Sequence, residues 1–271
     1  MQLEAITLNE MREIQLDLLK SFIQFCENSN IFYCSAYGTT LGSVRHFGYI
    51  PWDDDIDLMI YRKDLEFIVN NYPSGNYKII SLLNNKDYFS PLVKIYNDKT
   101  LLIQDYGQVE KINTGVYIDI FILDKLPVDD DNRKKMYYKA EKIRYQWFLS
   151  CRKFTAKSRN FFRGVVAAFL SIPFKIIGYK YFAKKYNNYC SSYVNNQYGY
   201  GVILYGEGFE KEPFFKKKII PACRQFENLT INIPSDFDFY LKKVYGDYMV
   251  LPPEADRVPK HRYKAYRIIE D

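Results

Sequence analysis

Residues 38–60 read GTTLGSVRHFGYIPWDDDIDLMI: a turn of small residues, an aromatic connector, and four aspartates in five positions that run into an apolar, β-prone segment. Asp53, Asp55 and Asp57 alternate, so in extended backbone they project from one face while Ile56, Leu58 and Ile60 project from the other and Asp54 faces away. Carboxylates crowded onto one face repel each other. A divalent cation removes that repulsion, and Mg²⁺ is commonly held by one or two carboxylates with water and phosphate oxygens in its other positions. Ahead of the acids, Gly38, Thr39, Thr40 and Gly42 can open a short helix whose free amides and hydroxyls suit an anion. A solvated acidic loop is the bland alternative. Against it stands the cost of unpaired charge at the entrance of an apolar strand.

Working outward, Ile31–Tyr37 is β-prone and enters the turn directly, so strand, turn, short helix and the acidic strand 55–61 follow in succession. Before it, Thr7 and Glu10 form a capping-box pair, and Ile14, Leu18, Phe22 and Phe25 recur at helical spacing, which predicts a helix over 8–28. After it, a helix is expected over 62–71, a strand over 77–83, and a hairpin of 92–96 with 101–104 across Asn97-Asp98-Lys99. Lys94 is the only charge in PLVKIY: either a basic chain reaching solvent from an edge strand, which spacing alone favours, or a phosphate contact. Residues 115–124, GVYIDIFILD, are the most strand-like run in the chain, interrupted by Asp119. A carboxylate there requires a partner, and a cation on Asp55 and Asp57 supplies one if the two strands are neighbours. Asp124 reads as a strand exit, and Asp130 or Asp131 as a helix cap.

The 271 residues suffice for one large domain or a domain with a sizeable insertion. Five scattered cysteines and two histidines exclude a disulfide framework and a structural zinc, and favour a reducing compartment. The first residues carry no basic start followed by an apolar core, so no signal peptide is expected and a cytoplasmic location is. The net charge of +6 conceals a division: residues 132–190 carry fifteen Lys and Arg against the single acid Glu141, leaving −8 on the remainder. This block is helical and aromatic in pattern. Its most apolar part, 164–178, is interrupted by Pro173 and Lys175 and is too short to cross a bilayer. It is either a buried helix of a small subdomain or an interfacial helix docked peripherally on the inner face of an anionic membrane. No recognised nucleic-acid signature accompanies the charge, so nucleic acid is not an expected partner. Further on, strand pieces are expected at 201–205, 219–222 and 228–233, a helix over 237–245 ends at Gly246, and the tail 245–261 is compact enough to close over a ligand.

GTTLGSVRHFGYIPWDDDIDLMI, VYIDIFILD and YLKKVYGDYMVLPP together resemble the LicD family of the nucleotidyltransferase-like superfamily, similar to the fukutin-related proteins of animals. The resemblance covers the first 125 residues and about the last 40. It implies an α/β fold of the α+β type, a nucleotidyltransferase-like mixed sheet flanked by helices. Residues 1–125 would form the catalytic core, 126–215 a basic, aromatic helical subdomain, and 216–271 a segment returning to the core. It implies Mg²⁺- or Mn²⁺-dependent transfer of a substituted phosphate from a CDP-linked donor, foremost phosphocholine from CDP-choline, to a sugar hydroxyl of a surface glycan such as teichoic acid, capsule or lipopolysaccharide, free or lipid-linked. Ribitol or glycerol phosphate is the alternative cargo, and a catalytically silent adaptor on an anionic surface the alternative class. By position, Asp55, Asp57 and Asp119 match the metal-binding acids and Asp53 the leading acid. Gly38, Thr39 and Thr40 match the nucleotide-facing turn, Arg45 the basic residue after it, and Lys94 the hairpin lysine. Asp119 or Asp53 would accept the acceptor proton. Arg257 and His261 match a basic and histidine cluster, although Lys260 stands where the family often has a second histidine.

Overall fold

The computed structural model describes residues 2–72, 75–104, 114–152, 161–259 and 263–269. The elements follow as β1 (Gln2–Ala5), α1 (Leu8–Asn28), β2 (Tyr33–Ser35), α2 (Tyr37–His46), β3 (Asp57–Tyr61), α3 (Arg62–Asn71), β4 (Tyr77–Ile80), β5 (Val93–Asn97), β6 (Thr100–Gln104) and β7 (Tyr117–Pro127). Then come α4 (Asp130–Cys151), α5 (Phe161–Ile177), α6 (Tyr179–Cys190), β8 (Tyr198–Val202), β9 (Pro221–Phe226), β10 (Leu229–Pro234), α7 (Phe237–Tyr245) and β11 (Tyr263–Ile269). The fold is α/β.

The central sheet has the order β2-β3-β7-β5-β4, with β3 and β7 parallel and the other pairings antiparallel. The eleven residues of β7 border β3 on one edge, and on the other edge pair first with β5 and then with β8. Such a strand is buried on both faces, which explains its near-continuous run of Ile, Phe and Leu. α1 forms because the Thr7 hydroxyl accepts from the Glu10 amide while the Glu10 carboxylate accepts from the Thr7 amide, and its stripe of Leu18, Leu19, Phe22 and Cys26 is fully buried. That stripe, α3 and the β9-β10 hairpin cover one face of the sheet; α2 and α7 cover the other. α4 and α6 pack with Leu126 of β7 and with Ile203 and Leu204 after β8 into one further cluster, and with Ile80, Tyr88 and Phe89 into another.

The expected 92–96/101–104 hairpin does not form. Both edges of β5 are occupied, by β4 and β7, so β6 has no edge to take and instead joins β11 and β1 in a separate three-stranded sheet. Asp124 is not a strand exit. It lies inside β7, buried, and its carboxylate pairs with Arg62 Nε and accepts from Arg62 Nη2 at 2.9 Å. The cap of α4 is Asp129, accepting from Asn132 N, rather than Asp130 or Asp131. All five cysteines are free thiols. Among the described residues no single helix is long and apolar enough to cross a membrane; α5 and α6 together have the length and composition but bend by 83°.

Candidate active site

The parallel register of β3 and β7 sets Asp57 directly opposite Asp119, and the antiparallel register of β5 sets Lys94 opposite Asp119 from the other side. Three charges thus line up across three central strands. Lys94 Nζ lies 3.0 Å from Asp119 Oδ1, within ion-pair range but without hydrogen-bond direction, and sits over the Tyr117 ring. Lys94 is therefore on an internal strand and mostly buried, not a chain reaching solvent from an edge.

Two contacts hold β3 at its acidic end. The Asp57 amide donates to Thr39 Oγ1 at 2.8 Å, and the Ala36 amide donates to Asp57 O at 2.9 Å, tying α2 to the strand start. The loop before it is held from α1. Arg12 Nη2 donates to the carbonyls of Asp53 at 2.5 Å and Pro51 at 3.0 Å, and Gln15 Nε2 donates to Asp54 O at 3.0 Å. Neither residue lies in a motif. Gln15 had a signal, being the polar member of the otherwise apolar stripe Met11, Leu18, Phe22.

These elements surround a cleft of about 1310 Å³, whose walls include Asp53, Asp55, Asp57 and Asp119, together with Gly38, Arg45 and Lys94. One carboxylate oxygen each from Asp53, Asp54 and Asp55 also falls within 4.8 Å of the others. Asp54, however, is 2% exposed and off the cleft wall, so of the aspartates gathered at β3 and β7 the ones open to a ligand are Asp53, Asp55, Asp57 and Asp119. Burial, and then the charges of Asp55, Asp119 and Asp53, push the Asp57 carboxyl well above the usual carboxylate range, with Lys94 partly opposing. The chemistry of this donor set suits a hard cation: two carboxylates face each other on adjacent strands, both nearly buried and both open to the cleft.

At Gly38 a Cβ would stand 2.6 Å from Asp53 Oδ2, so the glycine lets that carboxylate lie against the first turn of α2. Thr39 and Thr40 are buried away from the cleft wall; the Thr40 hydroxyl is 2.8 Å from Ser35 Oγ. Arg45 is on the wall, its Nη1 donating to Tyr248 O at 2.5 Å and its Nε to His46 Nε2 at 2.9 Å. Arg257 donates to Pro252 O at 2.8 Å and faces the Trp52 ring, bracing two wall residues without joining them. His261 lies outside the described residues. The tail contributes Tyr245, Tyr248 and residues 250–253 to the wall, and α4 contributes Trp147.

Beneath α2, Tyr37 OH donates to Glu212 Oε2 at 3.1 Å, and the Glu207 amide donates to the same oxygen at 2.8 Å. Burial outweighs these bonds and pushes the Glu212 carboxyl up to about 8. Between its ordinary value of 4.5 and about 8 the folded state therefore holds a proton that the unfolded state lacks. Stability contributed by this group is full below that window and falls as pH rises through it, by about 1.4 kcal/mol per pH unit for one group. Glu212→Gln should flatten the decline of the melting temperature between pH 5.5 and 8.5. Parallel curves for variant and parent would reject this assignment.

Residues 30–154 match the family described as LicD/FKTN/FKRP, nucleotidyltransferase domain, a span that contains β2, α2, β3 and β7 and so the cleft-wall aspartates Asp53, Asp55, Asp57 and Asp119. Along nearly its whole length the chain is similar to the lipopolysaccharide cholinephosphotransferase LicD of Haemophilus influenzae, at 28% identity over 97% of this chain and 99% of that protein. Uncharacterized proteins of Rickettsia typhi and Rickettsia prowazekii match shorter stretches, at 38% identity over 23% of this chain and 21% of the relative, and at 32% over 41% and 39%.

Proposed function

Taking as premise that the chain belongs to the LicD family and is a phosphotransferase, we propose that it moves phosphocholine from CDP-choline to a sugar hydroxyl of a surface glycan. Teichoic acid, capsule and lipopolysaccharide are the candidate acceptors, free or lipid-linked. The observation that carries this reading is the juxtaposition of Asp57, Asp119 and Lys94 in register at the wall of a cleft large enough for a nucleotide-linked donor and an acceptor.

In the transfer, the acceptor oxygen forms a bond to the phosphorus that bears choline, and the bond from that phosphorus to the oxygen bridging to CMP breaks. CMP leaves with the bonding pair. The acceptor's proton passes to a carboxylate, Asp119 first and Asp53 second, since both are on the cleft wall. Lys94 and Arg45 hold non-bridging oxygens, Lys94 by exchanging its contact with Asp119 for a phosphate. Asp55, Asp57 and Asp119 would hold Mg²⁺ or Mn²⁺, which supplies charge neutralisation on the diphosphate. Gly38 lets Asp53 approach α2, and Thr39 holds Asp57 in place from behind. Incubation with Mg²⁺, acceptor glycan and a panel of CDP-choline, CDP-ribitol and CDP-glycerol should release CMP, fastest from CDP-choline. Preference for another CDP-alcohol moves the cargo and keeps the class. Pyrophosphate release from a nucleoside triphosphate, with no CMP from any donor, overturns it in favour of nucleotidyl transfer.

The partner surface of this reading is a membrane. α5 leaves Val166, Phe169, Leu170, Ile176 and Ile177 exposed, Phe169 at 68% and Ile176 at 81%, within the basic segment 132–190. A contiguous apolar face of this kind, amid cationic charge, fits the headgroup boundary of anionic lipid. Peripheral attachment there would bring the site to a lipid-linked acceptor. The protein should sediment with phosphatidylglycerol vesicles at low salt and be released as salt rises. Equal recovery in the supernatant with and without vesicles would count against it.

A further inference from the structure

The cleft has a second chemistry at its α4 end. Trp147 and Phe89 stack there with ring centroids 6.4 Å apart and planes at 16°, and the Trp147 Nε1–H donates to Phe89 O at 2.8 Å, which fixes the indole. Tyr205 meets Trp147 edge-on at 5.6 Å and 73°. Its backbone is in the left-handed region at φ 66°, which a bulky side chain seldom adopts, and its amide is held by Tyr186 OH at 3.0 Å. The chain thus accepts strain to present this ring. All three aromatics are on the cleft wall, and so are the carboxylates Glu141 and Glu207. Glu141 lies against the backbone beside Glu207: a Cβ on Gly208 would stand 3.2 Å from Glu141 Oε1. Arg144, 3.7 Å from Glu141, offsets one of these charges and leaves one in excess.

An aromatic corner rimmed by one net negative charge is complementary to a single cation too bulky and too weakly hydrated to need hydrogen bonds. The other tryptophan of the wall, Trp52, is by contrast already faced by the Arg257 guanidinium. We infer that Trp147, Phe89 and Tyr205, with Glu141 and Glu207, form a subsite for the quaternary ammonium group of the donor, and that this corner sets which alcohol phosphate is transferred. The inference rests on the phosphocholine reading above and adds where the cation sits. The nucleotide then occupies the end formed by α2 and the C-terminal tail, and the phosphates lie between, against Lys94 and the acids.

The chain has two tryptophans, Trp52 and Trp147, so Trp52→Phe leaves Trp147 as the sole indole reporter. In that variant choline chloride should quench fluorescence saturably and bind at least about tenfold more tightly than 3,3-dimethylbutan-1-ol, its neutral isostere. Glu141→Gln and Glu207→Gln, both at exposed positions and expected to fold, should each weaken choline and leave the isostere unchanged. In turnover, Tyr205→Leu should raise KM for CDP-choline at least about tenfold with kcat nearly kept, and leave CDP-glycerol unaffected. Equal affinity for choline and its isostere, or quenching by acceptor sugar and not by choline, overturns the subsite even where CMP release from CDP-choline proceeds. Choline binding with no CMP release from any donor upholds the subsite and defeats the transferase reading.

Discussion

Asp57→Asn and Asp119→Asn are each expected to lower kcat by about a thousandfold or more, while the folded protein persists. The two carboxylates stand opposite each other in the β3-β7 register, and a phosphoryl transfer site does little beyond position and neutralise charge. If, as proposed, they hold a charge-neutralising cation, losing one ligand would forfeit several kcal/mol of transition-state stabilisation, at about 1.4 kcal/mol per tenfold in rate. The effect on stability runs the other way. Burial first, and then the charges of Asp55, Asp119 and Asp53, hold the Asp57 carboxyl well above the usual range, so asparagine relieves desolvation and repulsion that the parent carries. Without metal, Asp57→Asn should melt no lower than the parent; with Mg²⁺, the parent should gain melting temperature and the variant should not. The measurements are initial rates of CMP release and paired thermal melts. A variant within tenfold of the parent's kcat would remove Asp57 from the site.

Asp124→Ala should cost about 3–5 kcal/mol, on the order of 10 °C in melting temperature for a chain of this size, without touching the cleft. Asp124 is 1% exposed, in the second half of β7, and burial pushes its carboxyl up to about 6 against the pull of Arg62. Arg62 opens α3 at the end of β3, and its Nη1 also donates to Asn187 of α6 at 2.9 Å. The pair therefore ties two elements of the central sheet to the helical segment. Removing the carboxylate leaves a largely buried guanidinium without its counter-charge, which is the expensive event; the intact pair is worth much less, because both charges were desolvated to make it. The double variant Arg62→Met/Asp124→Leu should accordingly recover most of the loss. Urea melts of the two single variants and the double distinguish these cases, and a double variant less stable than either single would show that the pair is worth more than its desolvation.

Part of the site and of the fold is written in the residues alone. Asp57 and Asp119 were legible because each is a charge in a β-prone apolar run, where its cost asks for a partner. α1, α3 and α7 were legible from signals that act within a few residues: the Thr7–Glu10 capping box, the break at Tyr72, and Gly246 after the last turn. The 97–99 turn looked equally local and misled. The family resemblance pointed to the acids as ligands but gave no reason to mark Arg12 or Gln15, whose contacts with the 50–54 loop span about forty residues of chain.

By itself, then, the sequence determined which elements form, which of their faces are apolar, and which charges are too costly to stand alone. Tertiary structure alone decided that β5 spends both edges on β4 and β7, that Lys94 is thereby set against Asp119, that Asp124 meets Arg62 rather than solvent, and that Trp147 of α4 shares one cleft wall with the acids. The physical reason is one of range. Periodicity and capping are set by neighbours within a turn or two, whereas the choice of strand edge and the convergence of side chains on a cleft depend on long-range packing that no window of sequence contains.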